Sequence, residues 1–125
     1  MKKHTILIIE DNEDINLLTK ATLASKGHNI LCAFNGKEGI KLAQNNDVDF
    51  IILDVMMPDM DGYEVLSVLK GDDKTKKIPV AFFSARTQKE EIEKGLSFGA
   101  IKYFRKPFDP IELISEVDEI LSKYN

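Results

Sequence analysis

A single cysteine, Cys32, rules out any internal disulfide, and its place in an apolar run suits a small core residue in a reducing cytoplasm. No apolar run approaches the roughly 20 residues needed to span a bilayer. The opening MKKHTILIIED meets acids too early to be a signal peptide. Basic residues form no stripe: 17 Lys and Arg are interspersed among 21 Asp and Glu, for a net charge of −4. Lys74, Lys76 and Lys77 are offset by Asp72 and Asp73 and read as a solvated loop. Direct binding to nucleic acid is therefore not expected. Neither a GxGxxG nor a P-loop pattern occurs, which argues against a nucleotide site. His4 and His28 lack ligand spacing, so a histidine-held metal is not expected either. What is present is ordinary globular composition, 43% hydrophobic, in 125 residues. That length suits one domain, 1–125, burying roughly two thirds of its unfolded surface. A soluble, cytoplasmic protein with no membrane contact is expected.

Apolar runs and helical spacings alternate along the chain. Thr5–Ile9 reads as a buried strand ending in Glu10 and Asp11. Asp14–Lys26 follows as a helix with Ile15, Leu18, Ala21 and Thr22 inward, closed by Gly27. Asn29–Phe34 alternates, with Ile30, Cys32 and Phe34 on one face, as in an edge strand. Gly36–Gln44 is a short helix around Ile40 and Ala43. Phe50–Leu53 is a buried strand with Asp54 at its tip, and Pro58 and Gly62 punctuate the loop behind it. Tyr63–Lys70 is a helix with Val65, Leu66 and Leu69 inward. Val80–Phe83 is a strand ending in Ser84, and Gln88–Ser97 a charged helix burying little beyond Ile92 and Leu96. Ile101–Phe104 leads to Arg105, Lys106 and Pro107. Asp109 and Pro110 then start a last helix, whose stripe is Leu113, Ile114, Val117, Ile120, Leu121 and Tyr124. Five strands alternating with five helices predict a parallel sheet covered on both faces, a three-layer α/β sandwich.

In such sheets ligands bind beyond the carboxyl ends of the strands, a rule drawn in part from flavodoxin-like proteins themselves. The rule selects Glu10, Asp11, Asp54, Ser84 and Lys106. Each alone has a plainer reading. Glu10 and Asp11 suit the start of a helix, Asp54 and Ser84 are ordinary local caps, Lys106 is a solvated lysine, and Tyr103 a half-buried edge aromatic. Their convergence is what matters. Three carboxylates on one edge repel and need a cation, and oxygen-only ligands with open positions suit Mg2+. A lysine and a hydroxyl complete a cradle for a transferred phosphoryl group. A carboxylate such as Asp54 can serve as the nucleophile, forming an aspartyl phosphate.

These residues resemble the receiver domain of two-component response regulators. The motifs are IIED at Ile8 to Asp11, LDVMMPDMDG at Leu53 to Gly62, Ser84-Ala85 after a strand, and Lys106-Pro107-Phe108. The likeness runs from Ile6 to about Leu121. It implies a flavodoxin-like fold with strand order 2-1-3-4-5, and Asp54 accepting phosphate from a histidine kinase, a phosphotransfer protein or a small phosphodonor. It also implies that Asp11, Asp54 and the backbone carbonyl of Met56 hold Mg2+, while Glu10 orders a metal-bound water. Lys106 would contact the phosphoryl group, with a cis bond to Pro107. Ser84 would turn toward the phosphate and Tyr103 swing inward behind it, reshaping the surface of the fourth helix, fifth strand and fifth helix for a downstream partner. Such a domain is no enzyme acting on a separate substrate, although it catalyses its own phosphorylation and dephosphorylation.

Some positions depart from the common pattern. Glu10 stands where many members have aspartate, and Met56 and Arg86 stand where dephosphorylation rate is tuned. Ile101-Lys102 replaces a pair of acids that joins a symmetric dimer in many transcriptional receivers, which argues against that dimer. The chain ends soon after the last helix, so a single-domain switch, a phosphorelay shuttle and a receiver from a longer regulator all fit. A receiver-like interaction module without phosphorylation is the alternative from another class. An aspartate-nucleophile phosphatase would carry DxDx[TV], and Met56 occupies its second acid's position.

Overall fold

Branched and aromatic residues in short unbroken runs favour strands buried on both faces. The computed structural model of the chain, which describes residues 3–85 and 88–125, folds them that way. Among the described residues the order is β1 Thr5–Ile9, α1 Glu13–Ala24, β2 Asn29–Ala33, α2 Gly36–Asn45 and β3 Phe50–Asp54. There follow α3 Gly62–Lys70, β4 Val80–Ser84, α4 Lys89–Ser97, β5 Lys102–Arg105 and α5 Pro110–Tyr124. The strands form one parallel sheet in the order β2-β1-β3-β4-β5. This is the three-layer sandwich that the alternation predicted, with the flavodoxin-like strand order that the resemblance implied.

Side chains alternate across the sheet and build two cores. Leu7, Ile9, Ile51, Leu53, Val80 and Phe82 meet α2 and α3 on one face. Ile6, Phe50, Ile52, Ala81, Phe83 and Phe104 meet Leu23 of α1 and the Leu113, Val117, Ile120 and Leu121 stripe of α5 on the other. The central strands β3 and β4 are buried at every position, whereas β2 at the edge is only half covered. No helix among the described residues is long and apolar enough to cross a membrane.

Buried faces depart from the predicted ones in four places, three on helices and one on β2. On α1 the buried residues are Asn16, Thr19 and Leu23, while Leu17 and Leu18 lie outside at 53% and 57% exposure. The reason is polar. The Asn16 amide donates to both Glu10 O and Ala33 O at 3.0 Å, tying the helix to two strand ends, and this turns the leucines outward. On α4, Gly95 rather than Leu96 packs inward, because an added Cβ there would stand 2.8 Å from the Phe82 ring and 3.1 Å from Tyr103. Phe34 falls beyond the end of β2, which buries Ala33 instead. Tyr124, in the last turn of α5, is exposed. Helix α1 also stops sooner than expected, capped by Ser25, with Gly27 in the left-handed region at φ 84°.

Candidate functional site

The strand order reverses between β1 and β3, and the polar strand ends gather at that crevice. Glu10 follows β1, Asp54 and Ser84 end β3 and β4, and Lys106 follows β5. Glu10, Asp54 and Ser84 are set there by the buried runs of β1, β3 and β4, which leave only the strand tip for a charged or polar side chain, whereas Lys106 follows the partly exposed β5. One carboxylate oxygen from each of Glu10, Asp11 and Asp54 lies within 4.8 Å of the other two. Glu10 and Asp54 are buried, and Asp11 is the least covered of the three.

Lys106 is the counter-charge. Its ammonium pairs with Glu10 Oε1 and stands 3.2 Å from Asp54 Oδ1, with side chains 16%, 2% and 5% exposed for Lys106, Glu10 and Asp54. Backbone bonds steady the acids: the Asn12 N–H donates to Glu10 Oε2 at 3.2 Å, and the Met56 N–H to Asp54 Oδ1 at 3.3 Å. The Lys106 N–H donates to Ser84 O at 2.9 Å, so the lysine is held by β4 as well as by its own strand. The Lys106–Pro107 bond is cis.

Burial, then proton sharing and repulsion with Glu10, push the Asp54 carboxyl up to about 7, against a smaller opposing pull from Lys106. Burial draws the Lys106 ammonium down, but Glu10 and Asp54 outweigh it and its pKa is raised. The cluster is thus a charged pocket in which the Asp54 carboxyl titrates well above the usual carboxylate range, and a divalent cation beside it would favour the ionised form. Hard oxygen donors at this spacing can hold a divalent cation.

A family model for the response regulator receiver domain matches residues 6–118. The chain belongs to that family. Its relatives include a probable transcriptional regulator, ycf29, of Porphyra purpurea, 36% identical over 94% of this chain and 56% of that protein. The response regulator SaeR of Staphylococcus aureus is 32% identical over 94% of this chain and 50% of its own length. The receiver therefore spans about half the length of these curated relatives. Among solved structures, chemotaxis protein CheY4 of Vibrio cholerae superposes with a TM-score of 0.90 at 28% identity, covering 95% of this chain and 99% of that one. The receiver domain of the Francisella response regulator 1452 does so at 0.90 and 31%, covering 98% and 99%.

In this receiver, Ser84 lies beside Asp54 at the sheet edge, one step beyond the Asp54–Phe83 pairing, and is buried. Tyr103 packs against the core on the α2 and α3 side of the sheet. Its ring packs 6.1 Å from that of Phe82, and its buried hydroxyl meets no hydrogen-bond partner among the described residues. Arg86 lies outside the described residues. Three further residues escaped the sequence reading. Asn16 anchors the Glu10 backbone, and a polar amide inside a helix was the available signal. Asp59 bonds to the start of α2. Tyr63 donates to Glu91 at 3.1 Å and carries Lys94 4.3 Å above its ring, which ties α4 to α3. The last two contacts span distant segments and leave no local pattern.

Proposed function

We propose that this receiver is switched by phosphorylation of Asp54, with Mg2+ bound beside it. The observation that supports the reading is the convergence of the Glu10, Asp11 and Asp54 carboxylates, with the Lys106 ammonium paired to two of them. Asp11, Asp54 and the Met56 backbone carbonyl are the ligands we assign, with Glu10 ordering the water of the ion. When bound, Mg2+ offsets the negative charge on the oxygens of the phosphoryl group in transfer.

An Asp54 carboxylate oxygen attacks the phosphorus of a phosphohistidine on a kinase or phosphotransfer protein. The P–O bond forms as the P–N bond breaks, and the imidazole leaves with the electron pair and takes up a proton. Asp54 becomes an acyl phosphate. Because burial and Glu10 raise the Asp54 carboxyl to about 7, the fraction still protonated near neutral pH must lose its proton before the oxygen can attack. Lys106 then exchanges its bond to Asp54 for one to a phosphoryl oxygen, and the Ser84 hydroxyl donates to another. Attack by water later releases phosphate, so the domain turns over its own phosphoryl group. The new dianion favours one of two packings of Tyr103 and α4, and a downstream protein reads the face of α4, β5 and α5. The setting we assign is cytoplasmic.

Incubation with Mg2+ and acetyl phosphate, followed by intact mass, tests the reading. One added phosphoryl group is expected, absent in Asp54→Asn and absent in EDTA. Labelling that persists in Asp54→Asn, or a wild-type chain that takes up no phosphoryl group from any donor, overturns it.

A further inference from the structure

The loop that follows Asp54, residues 55–61, is fastened at both ends by its own local bonds. The Gly62 N–H donates to Val55 O at 2.8 Å. Asp61 caps α3 in a reciprocal box with Glu64. Between these lies a fastening of another kind. Both carboxylate oxygens of Asp59 leave the loop and accept from consecutive amides of a different helix: Oδ1 from Gly36 N–H at 3.1 Å and Oδ2 from Lys37 N–H at 3.2 Å. These are the first two free amides of α2. The third, of Glu38, is taken by that helix's own cap, Asn35, at 2.8 Å. A carboxylate in this place is favoured by charge-assisted bonds and by the helix dipole. Two bonds to adjacent amides fix direction as well as distance. Contact is close as well, since a Cβ on Gly36 would stand 3.0 Å from Met60 Cβ and 2.8 Å from Val65 Cγ2.

The same loop carries Met56, whose N–H donates to the Asp54 carboxylate. A backbone ligand works only if the loop presenting it is already in place, because ordering it on binding subtracts from affinity. We propose that Asp59 is a positioning residue for metal binding: it straps the acceptor loop to α2 and so holds the Met56 backbone where the ion needs it. The inference rests on the Mg2+ and Asp54 reading above and adds a residue outside the acidic cluster. By reciprocity, Mg2+ tightens the strap and slows exchange of the Gly36 and Lys37 amides with solvent.

A plain helix cap is the competing role, and Asn35 separates the two. Asn35→Ala removes a cap from the same helix end and removes neither of the Asp59 bonds. The test is Mg2+ titration of the 15N-labelled full chain followed by amide shifts, alongside acetyl phosphate labelling at varied Mg2+. For Asp59→Ala the expected result is a Mg2+ dissociation constant raised about tenfold, the scale for residues that orient metal ligands. Its labelling rate at saturating Mg2+ should stay within about twofold of wild type, the mark of an effect on metal binding rather than on the chemical step. Asp59→Asn, which keeps one acceptor oxygen, should recover part of the affinity. Asn35→Ala should lower stability and leave Mg2+ affinity within about twofold, as a cap alone would. An Asp59→Ala constant within twofold of wild type, or an equal loss in Asn35→Ala, overturns the strap. A wild-type chain that binds Mg2+ and takes up phosphate while Asp59→Ala is unchanged sinks the strap alone. One that binds no Mg2+ sinks the metal site and the strap together.

Discussion

Replacing Lys106 by methionine keeps the side-chain stem and removes only the charge, which makes it the sharpest probe of the pocket. The ammonium now pairs with Glu10 and Asp54, whose side chains are 2% and 5% exposed. Stripping one partner from a buried ion pair costs about 3–5 kcal/mol. Asp54 limits the damage, because its carboxyl already binds a proton up to about pH 7. Neutralising it near pH 7.5 therefore costs less than about 1 kcal/mol, at about 1.4 kcal/mol per pH unit. The expected loss therefore falls just below that range, at about 2–3 kcal/mol, or roughly 6–15 °C in Tm for a domain of this size. The sign with pH follows from the raised carboxyl. Its burden on stability is present above the folded value of about 7 and fades as pH falls toward the unfolded value of 3.8. The gap between wild type and Lys106→Met should be widest near pH 8 in EDTA and narrow toward pH 5. Millimolar Mg2+ should narrow it at pH 8, since a divalent ion replaces the missing charge. Urea unfolding under these conditions reads the gap. A gap under about 0.5 kcal/mol, or one unmoved by both pH and Mg2+, refutes the reasoning.

On the proposed reading Mg2+ competes with the Asp54 proton, so the half-saturating Mg2+ concentration should be about tenfold lower at pH 8 than at pH 6; a flat profile in a titration would count against a raised Asp54. Gly62→Ala would set a Cβ 2.5 Å from Asp54 O and 2.9 Å from Val55 Cα, both backbone atoms that cannot turn aside. A loss above about 2 kcal/mol in urea and weaker labelling of Asp54 are expected, and an unchanged midpoint contradicts the packing. Burial, then the Glu91 carboxylate, raise the Tyr63 phenol, which therefore stays a neutral donor through ordinary pH. Tyr63→Phe should cost about 1 kcal/mol and speed amide exchange in α4 more than in α1; equal acceleration in both helices would rule out a local tie.

How much of this was legible varied with the range of the interaction. Strands β3 and β4 were plain because a continuous apolar run bounded by polar residues has few other uses. The start of α5 was plain because Asp109 and Pro110 act on their own neighbours, and the Asp109 carboxylate does accept from Ile111 N–H at 3.0 Å. The inner face of α1 was misread. Counting apolar residues chose Leu18, whereas two hydrogen bonds from Asn16 to distant carbonyls set the rotation of the helix. Outward turning leaves Leu18 with Ile15, Phe83, Ala85, Pro107 and Phe108 around an open apolar cavity of about 370 Å3 beside Lys106. Gly95 was passed over because a glycine offers no hydrophobic signal, although its lack of a side chain makes room for Phe82 and Tyr103.

By itself the sequence determined which residues end the strands, and so which polar groups reach the sheet edge, because that follows from local runs and the rules of parallel sheets. It also carried the family, through motifs that lie in short segments. Only the tertiary structure decided that Lys106 pairs with both Glu10 and Asp54, and that Asp59 crosses to α2. The same holds for Tyr63 and Glu91, which join α3 to α4. Such contacts bring together residues 20 to 100 positions apart, where packing and burial rather than sequence spacing choose the partner. The charge state of Asp54 belongs with them, since it arises from desolvation and from Glu10, 44 residues away.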